Sequence, residues 1–168
     1  VLEIGCGDGG NLVPMAWQYP QSHFFGFDLA ETSIADGAAR VKDLGLANLE
    51  LRHLDLMEFP ESEGPFDYII AHGFYSWVPE AVRERMLELV RRILTPQGIA
   101  FVSYNAYPGS HIRGMIRDMV LFHVNRAPDA QTKLQQARAF LGFMEQGMAG
   151  TDEHGRLLKA EGARVQGF

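Results

Sequence analysis

The sequence predicts an α/β fold, a doubly wound and mostly parallel sheet of five strands followed by a C-terminal helical segment. Three observations predict it. Over residues 1–104 short apolar runs alternate with stretches of helical spacing, the pattern of consecutive βαβ units. A glycine-rich turn, Glu3-Ile4-Gly5-Cys6-Gly7-Asp8-Gly9-Gly10, joins the first apolar run to the first helical one. After Asn105 the alternation stops and only helical spacing continues.

Val1–Ile4 reads as the first strand. Leu12–Tyr19 follows as a helix, with Asn11 as its N-cap and Pro20 as its stop. Phe24–Phe27 is the second strand and ends at Asp28. Thr32–Leu44 has helical spacing through Ile34, Ala38, Val41 and Leu44, closed by Gly45. Leu49–Leu54 and Phe66–Ala71 are the third and fourth strands. Pro79–Leu94 is amphipathic, with Val82, Met86, Leu89, Val90 and Ile93 on one face. Gly98–Tyr104 is the fifth strand. Ile112–Val124, Ala130–Met148 and Asp152–Arg164 are read as helices. Right-handed crossovers would put any ligand beyond the C-terminal ends of the strands.

Size and composition narrow the classes. A chain of 168 residues, 46% hydrophobic and 21% charged, can bury a core and is not a disordered tract. No apolar run approaches membrane-spanning length. The start lacks an initiator Met and the basic, small-residue pattern of a signal peptide, so a piece of a longer product is expected. Cys6 is the single cysteine, which excludes an internal disulfide and a cysteine-built zinc site. No metal is expected, and a cytoplasmic location is. Residues 1–104 carry 7 Lys and Arg against 15 Asp and Glu, a net charge of -8; residues 105–168 carry 8 against 6, a net +2. An acidic surface of this kind argues against nucleic-acid binding, where phosphate neutralisation dominates, and leaves a basic protein segment open as partner.

Glycines in the turn let backbone approach a ligand, because no Cβ intervenes. Gly5-x-Gly7-x-x-Gly10 also fits a dinucleotide pattern, so the glycines alone do not separate cofactors. The acids sharpen the reading. Glu3 lies two residues before the first glycine. Asp28, at the end of the second strand, can accept from two ribose hydroxyls. In Leu54-Asp55-Leu56, after the third strand, the acid can accept from an adenine amino group between apolar walls.

Together these features resemble class I S-adenosylmethionine-dependent methyltransferases, whose E-x-G-x-G-x-G turn and two strand-end acids stand in the same order over residues 1–104. The resemblance implies S-adenosylmethionine as cofactor. It implies that Gly5 and Gly7, with Cys6 and Gly9 in the same loop, pack against the methionine half. Asp28, with Leu29 beside it, would bind the ribose, and Asp55, with Leu56, the adenine. Glu3 would order the loop and reach the cofactor's amino group directly or through water. The Cys6 thiol itself reads as a small filler, with no base near it in sequence.

Phe66-Asp67-Tyr68-Ile69-Ile70-Ala71-His72-Gly73-Phe74-Tyr75-Ser76-Trp77-Val78-Pro79 resembles the family's fourth motif, whose backbone lines the methyl-transfer site. His72-Gly73-Phe74-Tyr75 replaces the Asn/Asp-Pro-Pro-aromatic tetrapeptide of nucleic-acid base methyltransferases. Tyr104-Asn105-Ala106-Tyr107-Pro108-Gly109 and the helix after it look like bacterial methyltransferases coupled to a methyltransferase regulatory domain. Protein-lysine methyltransferases acting on outer-membrane proteins are similar to that group. The resemblance implies a cofactor-binding core over residues 1–105. Residues 106–168 would lead towards a regulatory or substrate region. Class I domains also carry two more strands after the fifth, and none is evident here.

Methyl transfer from a sulfonium is an in-line displacement governed by positioning. Acceptor-side candidates are His72, as a base for an oxygen acceptor or as a cofactor contact, and Tyr75, Tyr104 and Tyr107, whose ring faces could stabilise a cation. Asn105 could orient the nucleophile. The acceptor is read as a protein side chain, with lysine one possibility, or a small molecule. The alternatives are an NAD-dependent oxidoreductase and a non-catalytic cofactor-binding or interaction module.

Overall fold

The alternation of residues 1–104 is realised as β1 (Leu2–Ile4), α1 (Leu12–Gln18), β2 (Phe24–Asp28), α2 (Glu31–Asp43), β3 (Leu49–His53), β4 (Phe66–Ala71), α3 (Glu80–Ile93) and β5 (Leu94–Val102). Short 3-10 turns occupy Leu56–Glu58, Glu61–Glu63 and Tyr75–Trp77. The structure is a computed structural model that describes residues 1–147, 155–156 and 159–160. It separates into two units, Val1–Tyr104 and Asn105–Phe168.

The five strands are all parallel and lie in the order β3-β2-β1-β4-β5. That order follows from the sequence physics. Each strand feeds a crossover that returns over one face of the sheet, and the direction of winding reverses at β1. Alternate side chains of the strands point to opposite faces. Leu2, Ile4, Phe25, Phe27, Ile69 and Ala71 meet Met86, Leu89 and Ile93 of α3 on one face. On the other face Phe24 and Leu49 pack with Leu12 and Ala16 of α1 and Ile34 of α2. Leu2, Ile4 and Leu12 are wholly buried, each contributing about 1.5–3 kcal/mol. On the α1 face of the outer strands, Tyr68, Ile99 and Phe101 stay exposed.

The elements depart from expectation at two places. β5 starts directly at Leu94, four residues early, and stops at Val102, two residues short. Phe66 pairs with Leu94 and Tyr68 with Ile99, so the stretch containing Pro96 and Gly98 bulges out of register. Proline donates no ladder hydrogen bond, and the bulge accommodates it. Asn11 does not cap α1. Its amide is engaged elsewhere, with Glu3.

In the second unit α4 (His111–Val124) and α5 (Ala130–Gly147) pack through Ile116, Leu141 and Met144. Asp129 opens α5 by accepting from the Thr132 amide at 2.7 Å and its hydroxyl at 2.8 Å. Of the helix expected over Asp152–Arg164, Gly155–Arg156 and Lys159–Ala160 are helical, and the rest lies outside the described residues. No strand follows β5 among the described residues.

Candidate functional site

Glu3 sits on β1, Asp28 ends β2, Asp55 follows β3 and His72 follows β4. The parallel sheet therefore brings all four to its C-terminal edge, the ligand edge of doubly wound folds. β1 is the central strand at the winding reversal, and its glycine turn lies between the two halves of that edge.

Glu3 is only 4% exposed, the one charged residue buried in the core among the described residues. Its Oε1 accepts from Asn11 Nδ2 at 3.0 Å, while Oε2 is buried without any partner. Burial pushes the carboxyl above the ordinary glutamate range, with the Asn11 hydrogen bond and the nearby His72 pulling partly back. Burial thus makes the Glu3 anion costly in the ligand-free protein. A carboxyl raised in this way contributes stability that is full below its unfolded pKa and lost as pH rises through the folded value. Glu3→Gln should accordingly raise the melting temperature of ligand-free protein at neutral pH and change it little in acid. Thermal melts at both pH values test this; a lower melting temperature at neutral pH would show that the anion has a stabilising partner. A buried carboxylate oxygen with nothing to accept from is a place for a cationic donor.

The glycine turn is closed on its neighbours. Gly5 and Cys6 donate to the Phe27 carbonyl at 2.9 and 3.1 Å, Gly7 donates to Asp28 Oδ2 at 2.9 Å, and Gly9 donates to the Cys6 carbonyl at 2.9 Å. Gly10 donates to Asp8 Oδ1 at 3.0 Å. These amides are engaged internally, so the turn is not the cradle of inward-pointing N–H groups that a pyrophosphate requires. It offers bare Cα surface instead. Gly7 has φ +57, and a Cβ built there would meet nothing within 4 Å. Gly5, with φ +71, is different: a Cβ would lie 2.6 Å from the Phe74 ring. Gly9 makes room for Leu51 rather than for a ligand, since its Cβ would stand 2.8 Å from Leu51. The Cys6 thiol is buried under α1, and burial, then the charges of Glu3 and Asp28, pushes it up to about 12. At neutral pH it is an inert filler.

The two strand-end acids are held by backbone. Asp28 accepts from Gly7 on Oδ2 and from Ala30 on Oδ1 at 2.8 Å, which ties the glycine turn to the start of α2. Each oxygen retains a further lone pair for a hydroxyl donor. Leu29 beside it is 65% exposed, an apolar side chain at the mouth of the edge. Asp55 accepts from the Met57 amide at 2.9 Å and so caps the Leu56–Glu58 turn. Leu56 points into the core under Phe27 and Phe59, away from the edge, leaving half-buried Leu54 as the nearer apolar wall.

Past the end of β4, His72 is exposed and stacks on Phe101 at 6.0 Å. Gly73, at φ +67, turns the chain, and its amide donates to Ser103 Oγ at 2.8 Å, linking the ends of β4 and β5. Tyr75 meets Tyr104 edge-on at 6.4 Å, and the Arg83 guanidinium lies 5.7 Å from the Tyr75 ring centroid. One ring face of Tyr75 is therefore already occupied by an internal cation. Tyr104 is 68% exposed and fills no core. Asn105 and Tyr107 belong to the second unit, where Tyr107 stacks on His111 at the start of α4, centroids 4.2 Å apart.

The sequence reading missed Asn11 as the Glu3 partner, Phe74 as the residue seated on Gly5, Ser103 and Arg83. The eight-residue offset from Glu3 to Asn11 carried no recognisable signal. The same offset separates Arg83 from Tyr75, while the Phe74 and Ser103 contacts join segments far apart in the chain. Among the described residues no group of His, Cys, Asp and Glu is placed to hold a metal ion. No described helix is long and apolar enough to cross a membrane.

Residues 1–98 match the family model described as a methyltransferase domain. The structure of PKMT2 from Rickettsia typhi in complex with AdoHcy superposes with a TM-score of 0.75 at 40% identity, covering 99% of this chain and 32% of that one. The uncharacterised protein RP028 of Rickettsia prowazekii is 37% identical over the whole of this chain and 68% of its own length. A demethylmenaquinone methyltransferase of Listeria monocytogenes is 34% identical over 100 residues, 58% of this chain and 41% of that protein. The chain thus spans about a third of PKMT2. Domain match, sheet order and glycine turn agree: the chain belongs to the class I S-adenosylmethionine-dependent methyltransferases.

Proposed function

We propose that this chain is the cofactor-binding part of a cytoplasmic enzyme that methylates a protein side chain, with lysine as the favoured acceptor. The observation that carries the cofactor assignment is the orphaned Oε2 of buried Glu3, on the strand that leads into the open-surfaced Gly7 turn. An amino acid half with a protonated amine fits there, because it supplies the donor that Glu3 lacks. Asp28 and Asp55, with Leu29 and Leu54 nearby, suit a ribose and an adenine. The likeness to PKMT2 supports the acceptor class, as does the resemblance to regulatory-domain-coupled methyltransferases, to which protein-lysine methyltransferases are similar.

The bound cofactor supplies a methyl group on a positively charged sulfur. The chain's residues do the positioning. Asp28 would hold the ribose hydroxyls, Asp55 the base amino group, and Glu3 the ammonium. These residues would present the cofactor's electrophilic methyl group to the accepting nitrogen, with the sulfur as leaving group. The nitrogen must arrive without its extra proton. His72, which follows β4 and is exposed, would relay that proton to solvent. Asn105 and Tyr107 enter the proposal on chain order alone, as does the division into a core over residues 1–105 and a substrate-directed segment over 106–168.

The NAD reading loses support from the same geometry. The turn amides are internally bonded, and Pro14 removes a donor from the first turn of α1. Incubating the protein with S-adenosylmethionine labelled in the methyl group and a lysate protein pool should place label on protein, recovered as methyl-lysine by mass spectrometry. Label confined to small molecules would move the acceptor to that class. Cofactor binding without any transfer would favour the non-catalytic module.

A further inference from the structure

Two side-chain atoms are buried without a hydrogen-bond partner among the described residues: Glu3 Oε2 and Arg83 Nε. The first is an anion at the cofactor loop. The second is a cation in the first turn of α3, directly after the Tyr75–Trp77 turn. Arg83 lies over Tyr75, and Tyr75 meets Tyr104 at the end of β5, so the three side chains form one wall on the acceptor side of the edge.

Among the arginines of this unit Arg83 and the exposed Arg91 are without an ion pair, and of these two Arg83 is the one with a buried donor. Arg40, Arg52, Arg85 and Arg92 each pair with a carboxylate at 3.2 Å or closer. No carboxylate among the described residues lies within ion-pair distance of Arg83, although Glu80 and Glu84 flank it on the same helix. A planar guanidinium stacked on a ring keeps its edge donors directed outward for a carboxylate. The chain covers Nε, while the side chain as a whole is only half-buried, so a carboxylate from outside would meet the Nη donors.

We propose that Arg83 is a specificity-determining residue that receives a carboxylate carried by the methyl acceptor, an Asp or Glu side chain flanking the accepting lysine. The assignment rests on the protein-lysine reading for the identity of the acceptor and on the Arg83–Tyr75–Tyr104 geometry for the charge. The carboxylate would fix the acceptor segment against the tyrosine wall, with the accepting nitrogen free to face the cofactor. The overall acidic charge of the unit would otherwise favour purely basic segments, so Arg83 makes a local exception.

The test uses two labelled lysine peptides that differ only in Glu or Gln beside the lysine. Turnover with S-adenosylmethionine and fluorescence-anisotropy binding to the protein loaded with S-adenosylhomocysteine are measured separately. The Glu peptide should exceed the Gln peptide at least tenfold in kcat/KM and in affinity. Arg83→Met should bring the ratio close to one, and Arg83→Lys, which keeps the charge, should restore part of it. Melting temperatures of the variants confirm that they fold. A ratio is insensitive to the fraction of folded protein, so a merely structural role for Arg83 would not move it. Equal handling of the two peptides by the parent protein, or a preference that survives Arg83→Met, overturns the proposal. A binding preference for Glu without methylation of either peptide would count against the lysine reading and support Arg83 as the anion receptor.

Discussion

Asp28→Ala is expected to lower affinity for S-adenosylhomocysteine at least a hundredfold, about 2.7 kcal/mol, read by calorimetry. The carboxylate has two jobs at once. It accepts from the amides of Gly7 and Ala30, which holds the glycine turn against the start of α2. Its remaining lone pairs are those proposed for the ribose hydroxyls. Hydrogen bonds to a charged acceptor are worth about 1.5–3 kcal/mol each, so the loss of two exceeds the threshold stated. Asp28→Asn retains one oxygen and should fall between the two proteins. Unchanged affinity in Asp28→Ala would remove the ribose assignment.

The second large effect separates two glycines of one loop. Gly5→Ala meets the Phe74 ring at 2.6 Å and also sits at φ +71. A left-handed alanine costs about 1–2 kcal/mol and overpacking about 1–3 kcal/mol more. The melting temperature should therefore drop by on the order of 10 °C. Gly7→Ala has φ +57 but open space around its Cβ, so it should lose only about 1–2 kcal/mol of stability. Its new methyl would stand on the surface proposed for the cofactor's methionine half. Affinity should fall much further than stability does. Thermal melts paired with calorimetry on both variants decide it. Gly7→Ala binding as well as the parent would show that no ligand approaches there.

How much of this was readable beforehand depends on the range of the interaction concerned. The sheet followed from local patterns. Phe24–Phe27, Leu49–Leu54 and Phe66–Ala71 are short apolar runs, and Val82, Met86, Leu89 and Ile93 repeat at helical spacing. These patterns report which face is buried, and burial drives the fold. The start of β5 was misplaced because Thr95-Pro96-Gln97-Gly98 looks like a break, whereas the chain bulges through it and stays paired. Asn11 was misassigned because an Asn before a helix usually caps it, and a buried carboxylate eight residues earlier competes for the same amide more strongly. The strand-end acids were visible because strand ends are local. Phe74 on Gly5 and Arg83 on Tyr75 were not, because both depend on where β4 and α3 come to rest.

The glycine turn is bonded to β2 through Gly5, Cys6 and Gly7 with no ligand required. Its shape is therefore set when the sheet forms, and a ligand that settles on it has no backbone to order. Ordering entropy is a large part of what association must overcome. A preformed turn should let donor enter and spent product leave as rigid-body events, with single-exponential binding traces and no slow isomerisation phase after mixing. Turnover would then be paced by the acceptor's arrival or by the displacement itself, and exchange of one nucleoside for the other would proceed without remodelling the protein.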